Sequence, residues 1–184
     1  DKTLAASGLI IDRVSCRTDA AEDFNLLKKS FNDGKHDAIG NVDWLISLPH
    51  CDDEKNAHLA AIALFFHFQT SESSIYFDPP IDLDRTMDVA HGILDVRCNP
   101  RPVFHVLRAL NTILYVYRGK GYVIIKDDTR FLLRSNLAEI ELLLPNKVIQ
   151  KSTNLLLFDL INCSRLEQPK GDSLSTICLA VYPR

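Results

Sequence analysis

The chain has 184 residues, 46% hydrophobic and 24% charged, with a formal net charge of −3. That composition suits one globular body and excludes a disordered, collagen-like or disulfide-dense chain, and the longest apolar runs, such as residues 59–66, fall far short of the ~20 residues of a membrane helix. The charge is polarised: residues 1–100 hold 9 Lys and Arg against 17 Asp and Glu, a net of −8, and residues 101–184 hold 12 against 7, a net of +5.

In chain order, Leu9-Ile10-Ile11 between Gly8 and Asp12 reads as a short buried strand that continues toward Val14. Thr18 or Asp19 caps a helix in which Phe24, Leu27 and Phe31 recur at helical spacing, and Asn32-Asp33-Gly34 ends it. Residues 42–48 form a second strand, closed by Pro49. A helix follows from about Asp52 to Gln69. Its acidic start complements the helix dipole, and its middle is apolar almost all round, which predicts burial on several sides. Ile75-Tyr76-Phe77 is a short strand ended by Asp78-Pro79-Pro80. A third helix is predicted from Asp84 to about Val96, and a fourth starts near Pro102, where the first turn tolerates proline.

Beyond residue 112 the texture becomes strand-like. Residues 113–117 and 122–125 flank Arg118-Gly119-Lys120-Gly121 in the manner of a hairpin. Residues 131–133, 140–144 and 155–161 are further strands, with a short helix as the alternative at 139–144. Gln168-Pro169-Lys170-Gly171-Asp172 is a turn that makes 155–163 and 174–182 a final hairpin. The expectation is a single compact α+β domain, with helices mostly in the first ~110 residues and a mainly antiparallel sheet in the C-terminal part. The early strand–helix–strand order allows parallel strands in that same sheet.

Five cysteines at wide, irregular spacing, with no C-x-x-C, read as reduced and mostly buried thiols of a cytoplasmic or nuclear protein. Asn162-Cys163-Ser164 fits a glycosylation acceptor, discounted because it lies in an apolar, strand-like run. The start at Asp1 suggests a domain excised from a larger protein.

The strongest chemical constellation is Asp84, Asp88, His91 and Asp95, spaced i, i+4, i+7 and i+11 on the third predicted helix. At about 100° per residue they share one stripe, and three carboxylates with an imidazole could hold a divalent cation or perform acid–base chemistry. A solvated helix face explains the same residues, because Met87, Val89, Ala90, Ile93 and Leu94 take the opposite side. Asp82-Leu83-Asp84 and Asp127-Asp128 are weaker carboxylate pairs, read as a helix start and a turn. Cys51, Glu54 and His58 could share a face as zinc ligands, but His58 is equally placed to pair with Glu54. Cys51 beside His50 is thin support for covalent catalysis, and no phosphate-loop, dinucleotide or hydrolase motif occurs.

In the basic half, Arg118, Lys120, Lys126, Arg130 and Arg134 interleave with Tyr115, Tyr117, Tyr122 and Phe131. Exposed cations around a rigid hairpin suit an acidic protein surface, or nucleic acid through phosphate contacts and stacking. The pI near 6.1 argues against a dedicated nucleic-acid binder. The leading expectation is a non-catalytic protein-interaction or assembly domain using these five cations. A metal-assisted or hydrolytic enzyme and a nucleic-acid-binding domain are the alternatives. No cofactor is expected.

Overall fold

The computed structural model of the chain describes residues 13–18, 41–48, 52–68, 74–85, 88–127, 130–146, 155–167 and 174–183. The strand expected at 9–11, the helix at 19–31 and the turn at 168–172 lie outside them. The described fold is α+β: two helices, α1 (Asp53–His67) and α2 (Pro102–Leu114), with an all-parallel three-stranded sheet, a six-stranded antiparallel sheet and a small two-stranded ribbon.

The parallel sheet runs in the order β1 (Arg13–Thr18), β2 (Asn41–Ser47), β3 (Ile75–Asp78). Arg13 is aligned with Asn41, and Trp44 with Ile75. The early strands therefore form a sheet of their own rather than extending the C-terminal one. Between β2 and β3 the chain forms α1. Asp52 starts it, its carboxylate accepting from the N–H groups of Glu54 and Lys55 at 3.0 and 3.1 Å, a cap worth about 1 kcal/mol. From Leu59 to His67 every residue is buried, as the all-round apolar run requires. Phe66 meets Phe131 edge-on at 5.8 Å, and one core cluster joins α1 to Trp44 and Ile46 of β2 and Leu48 just after it, to α2 and to the six-stranded sheet. Each such buried large side chain contributes roughly 1.5–3 kcal/mol of transfer free energy.

The helix expected at 84–96 does not form. That segment is a ribbon of β4 (Leu83–Arg85) and β5 (Asp88–Ala90), with Leu83 opposite Ala90, followed by an irregular loop. Its apolar spacing fitted a helix, but other residues in the segment oppose one. A Cβ at Gly92 would lie 2.5 Å from the carbonyl carbon of Ile81, so the loop packs backbone to backbone where only glycine fits. Asp95 then turns the chain by accepting from the N–H groups of Arg97 and Asn99, both at 2.8 Å, ahead of Asn99-Pro100. An Asx turn and a residue before proline both oppose helix.

α2 begins with proline in its first turn, as expected, and buries Val103, Val106, Leu110 and Leu114 along one stripe. That stripe carries the helix through 113–114, and a 3-10 turn (Tyr115–Tyr117) follows. The strand expected at 113–117 is thus absent, and Arg118-Gly119-Lys120 leads from the helix into the sheet instead of turning a hairpin. The hairpin lies one strand later, between β6 (Gly121–Asp127) and β7 (Arg130–Ser135).

With β8 (Ala138–Leu143), β9 (Leu156–Asp159), β10 (Ser164–Leu166) and β11 (Cys178–Pro183), the sheet order is β10-β9-β11-β8-β7-β6. Residues 138–143 are strand, which settles the ambiguity at 139–144. β9 and β11 are antiparallel neighbours as expected, but β10 intervenes in sequence and lies on the other side of β9. No helix among the described residues is long and apolar enough to cross a membrane.

Candidate interaction surface

The four residues of the expected stripe part company. Asp84 and Asp88 sit in the ribbon backbone, on β4 and β5, and their side chains lie outside the described residues. Asp95 is spent on its own loop, with Asn99 Nδ2 at 2.9 Å holding the carboxyl below the ordinary carboxylate range. His91 Nδ1 lies 3.2 Å from Asp53 Oδ1 at the start of α1. Among the described residues no group of three or more His, Cys, Asp or Glu is arranged to hold a metal ion.

What gathers around His91 is an ionic clamp. Arg101 Nη1 donates to both oxygens of Asp53 at 3.2 and 3.1 Å, while its Nε donates to Asp82 Oδ1 at 2.8 Å and its Nη2 to Asp82 Oδ2. Gly92 N–H adds a 2.8 Å bond to Asp82. The Arg101 guanidinium, then the Gly92 amide, hold the Asp82 carboxyl below its usual range. Asn56, fully buried in α1, donates to the His91 carbonyl at 3.3 Å. The clamp ties the loop to α1, and its charges answer one another. The Asp82-Leu83-Asp84 pair therefore starts no helix. The sequence concealed Asp53 and Arg101 as partners because 48 residues separate them.

The basic residues divide in a similar way. On the face of the six-stranded sheet away from the main core, Arg130 donates through Nε and Nη2 to Glu141 Oε1 at 3.0 and 2.7 Å. Arg134 donates to Glu139 at 2.9 Å, its direct cross-strand neighbour. Tyr122 opposite Arg134, followed by Glu139, raises that guanidinium's pKa. Both arginines thus sit in a ladder of opposite charges, the pairing that cross-strand geometry rewards. Burial first, and Glu141 second, push the Tyr182 phenol up to about 12. Arg118 is half-buried between α2 and β6, and Lys120 is exposed. Lys126 lies on β6, with its side chain outside the described residues.

β6 forms one edge of the sheet, and no described strand pairs with its outer side. Gly121 allows the close approach to β7, because a Cβ there would lie 2.6 Å from the Arg134 carbonyl oxygen. A register shift between Ile125 and Asp127 interrupts the ladder and leaves residues 121–125 as the regular stretch of edge. Tyr122 on this edge strand is 54% exposed, and Tyr115 and Val116 in the 3-10 turn that precedes the strand in sequence are 69% and 53% exposed.

His50 and Cys51 lie outside the described residues. Glu54 Oε1 and His58 Nε2 are 3.7 Å apart, and burial lowers the His58 pKa. Of the cysteines, Cys98, Cys163 and Cys178 are free thiols. Cys98 and Cys163 are exposed, while burial pushes Cys178 up to about 11; Cys51 and the Cys16 side chain lie outside the described residues. Asn162 and Cys163 lie in the exposed turn between β9 and β10, Ser164 opens β10, and Asn162 Nδ2 donates to Asp159 at 2.7 Å. No family model matches the chain, and no curated protein matches it.

Proposed function

We propose that the chain is a protein-interaction domain that takes an extended segment of a partner protein along the outer edge of β6. The open edge, with exposed Tyr122 on it and exposed Tyr115 and Val116 in the turn that precedes it in sequence, carries this reading. An added strand would satisfy the outward backbone groups of residues 121–125, and the exposed rings would cover its apolar side chains. Lys120 at the start of the edge favours an acidic residue in the partner. Pairing two copies antiparallel about Val123 would set position 120 against position 126, lysine against lysine, which disfavours a dimer through this edge. Engagement of Arg130 and Arg134 by glutamates leaves less free positive charge for phosphates, so a protein partner is favoured over nucleic acid.

Hydrogen exchange on the chain with its captured partner tests the proposal. The amides of residues 121–125 should gain protection, and a Tyr115→Ser, Tyr122→Ser double variant should bind at least about tenfold more weakly. Arg165→Glu on the opposite edge should leave binding unchanged. Protection confined to other elements would sink this reading. A log-linear fall of affinity with salt, unaffected by the tyrosines, would point to nucleic acid instead.

A further inference from the structure

A cavity of about 310 Å³ lies between α2 and β9, toward the end of the six-stranded sheet opposite β6. Its size is at the small end of the ~300–1,000 Å³ range of small-molecule pockets, and its lining is mainly apolar. Arg108 and Thr112, one turn apart on α2, line it together with Ile113. Phe158 and Asp159 line it from β9, and Cys163 from the turn between β9 and β10. Most of the polar groups are spent on the chain itself. The Thr112 hydroxyl donates to the Arg108 carbonyl at 2.8 Å. Asp159 Oδ1 accepts from the N–H groups of Ile161 and Asn162, both at 2.9 Å, and its Oδ2 accepts from Asn162 Nδ2 at 2.7 Å. The Cys163 thiol lies 3.6 Å from the His105 carbonyl and so ties the turn to α2. The Arg108 side chain differs. Its guanidinium carbon sits 5.8 Å from the centre of the Phe104 ring, and it makes no ion pair among the described residues. By contrast Arg118, in the cavity that His67, Ser74 and Asn111 line at the C-terminal end of α1, is already engaged within the chain.

We propose that the cavity between α2 and β9 binds a small monocarboxylate with an apolar body, its carboxylate paired with the Arg108 guanidinium and its alkyl or aryl part against Ile113 and Phe158. A guanidinium meets a carboxylate through two parallel N–H···O bonds, and stacking on a ring leaves its N–H edge available for them. The apolar lining matches the body of such a ligand, and the one unpaired cation matches its single charge. Asp159 does not compete for Arg108, because three N–H groups of its own turn already meet its two oxygens. Its remaining negative charge disfavours a phosphate dianion, which one guanidinium does not balance. The proposal is independent of the β6 edge, which lies at the other end of the sheet.

Calorimetry with octanoate, phenylacetate and octanamide tests the pairing. At least one carboxylate should give saturable heat at millimolar concentration, and the tighter of the two identifies an alkyl or an aryl body. Octanamide, with the body of octanoate and no charge, should bind at least about tenfold more weakly than octanoate. Arg108→Gln should weaken the carboxylates about tenfold and leave octanamide unchanged. Arg97→Gln, an exposed arginine outside the cavity, should change neither. Because Cys163 lines the cavity, the bound carboxylate should also slow its alkylation by iodoacetamide, and not that of exposed Cys98, in peptide mass spectrometry. No saturable heat with either carboxylate, equal binding of octanoate and octanamide, or unchanged binding by Arg108→Gln overturns the proposal. So does saturable heat that leaves Cys163 alkylation unslowed, because the ligand then sits elsewhere. The Tyr115→Ser, Tyr122→Ser variant should retain carboxylate binding, so failure of the edge reading and failure of this one are separable.

Discussion

The two ends of α1 solve one problem in opposite ways. At the N-terminal end Asp52, Asp53, Asp82, His91 and Arg101 form a closed set, in which the carboxylates face backbone amides, an imidazole or a guanidinium of the protein itself. At the C-terminal end a backbone contact from Gly119 caps the helix, and the polar groups nearby line a cavity. Both ends contain one arginine and one histidine. What closes the N-terminal end is that the chain's own carboxylates, Asp53 and Asp82, supply the partners of Arg101. Charge-bearing residue types alone do not make that distinction.

Breaking the closed end should have the largest effect. Arg101→Ala leaves Asp53 and Asp82 facing each other without their shared cation, and stability should fall by about 3–4 kcal/mol in denaturant titration. Arg134→Ala, which removes a more exposed pair on the sheet, should cost no more than about 1 kcal/mol. Equal losses would mean that the clamp carries no special weight.

Acid should distinguish the two ends. His67 titrates near 6.5 when unfolded and near 4 when folded, so the unfolded chain binds more protons between those values. Its contribution is fully present above pH 6.5 and is lost as the pH falls toward 4, a change of roughly 3 kcal/mol. The Asp82 carboxyl is lowered instead, so its contribution persists above the ordinary carboxylate value and is lost only as the pH falls through its depressed one. His67→Gln should therefore flatten the stability profile between pH 6.5 and 4 and leave the steeper acid limb in place. The smallest expected effect belongs to the cap: Asp52→Ala should cost about 1 kcal/mol, read as a lower denaturation midpoint at unchanged slope.

Much of the fold was legible where local pattern and tertiary burial agree. α1 announced itself through an apolar run too long for a strand, and α2 through Pro102 and its apolar spacing. β2, β7 and β8 lie within a residue or two of the apolar runs that predicted them. The reading failed where a periodic pattern met a local opponent. Residues 84–96 satisfy helical spacing, yet Gly92, Asp95 and Asn99-Pro100 favour turns, and the turns prevailed. Residues 113–117 failed the other way, because the buried stripe ending in Leu114 held β-branched and aromatic residues in helix. The sites were less legible than the elements. Arg130 with Glu141 and Arg134 with Glu139 depend on strand register, which no short motif encodes. His67, Ser74, Asn111 and Arg118 meet only after both halves have packed, so nothing in their flanking residues marks them as neighbours.

β11 occupies an interior place in the six-stranded sheet, bonded to β8 on one side and β9 on the other. It also leaves the ribosome after the other five strands of its sheet. Until it emerges, β6–β7–β8 and β9–β10 are two ribbons with no strand to join them, and Leu179 and Val181 are missing from the core that covers α1. Nascent chains halted before residue 178 would thus carry two extra sheet edges and an incompletely covered apolar helix. These are the features that chaperones recognise and that drive aggregation during synthesis. The order in which its strands are made leaves this sheet most exposed to misassembly just before β11 emerges.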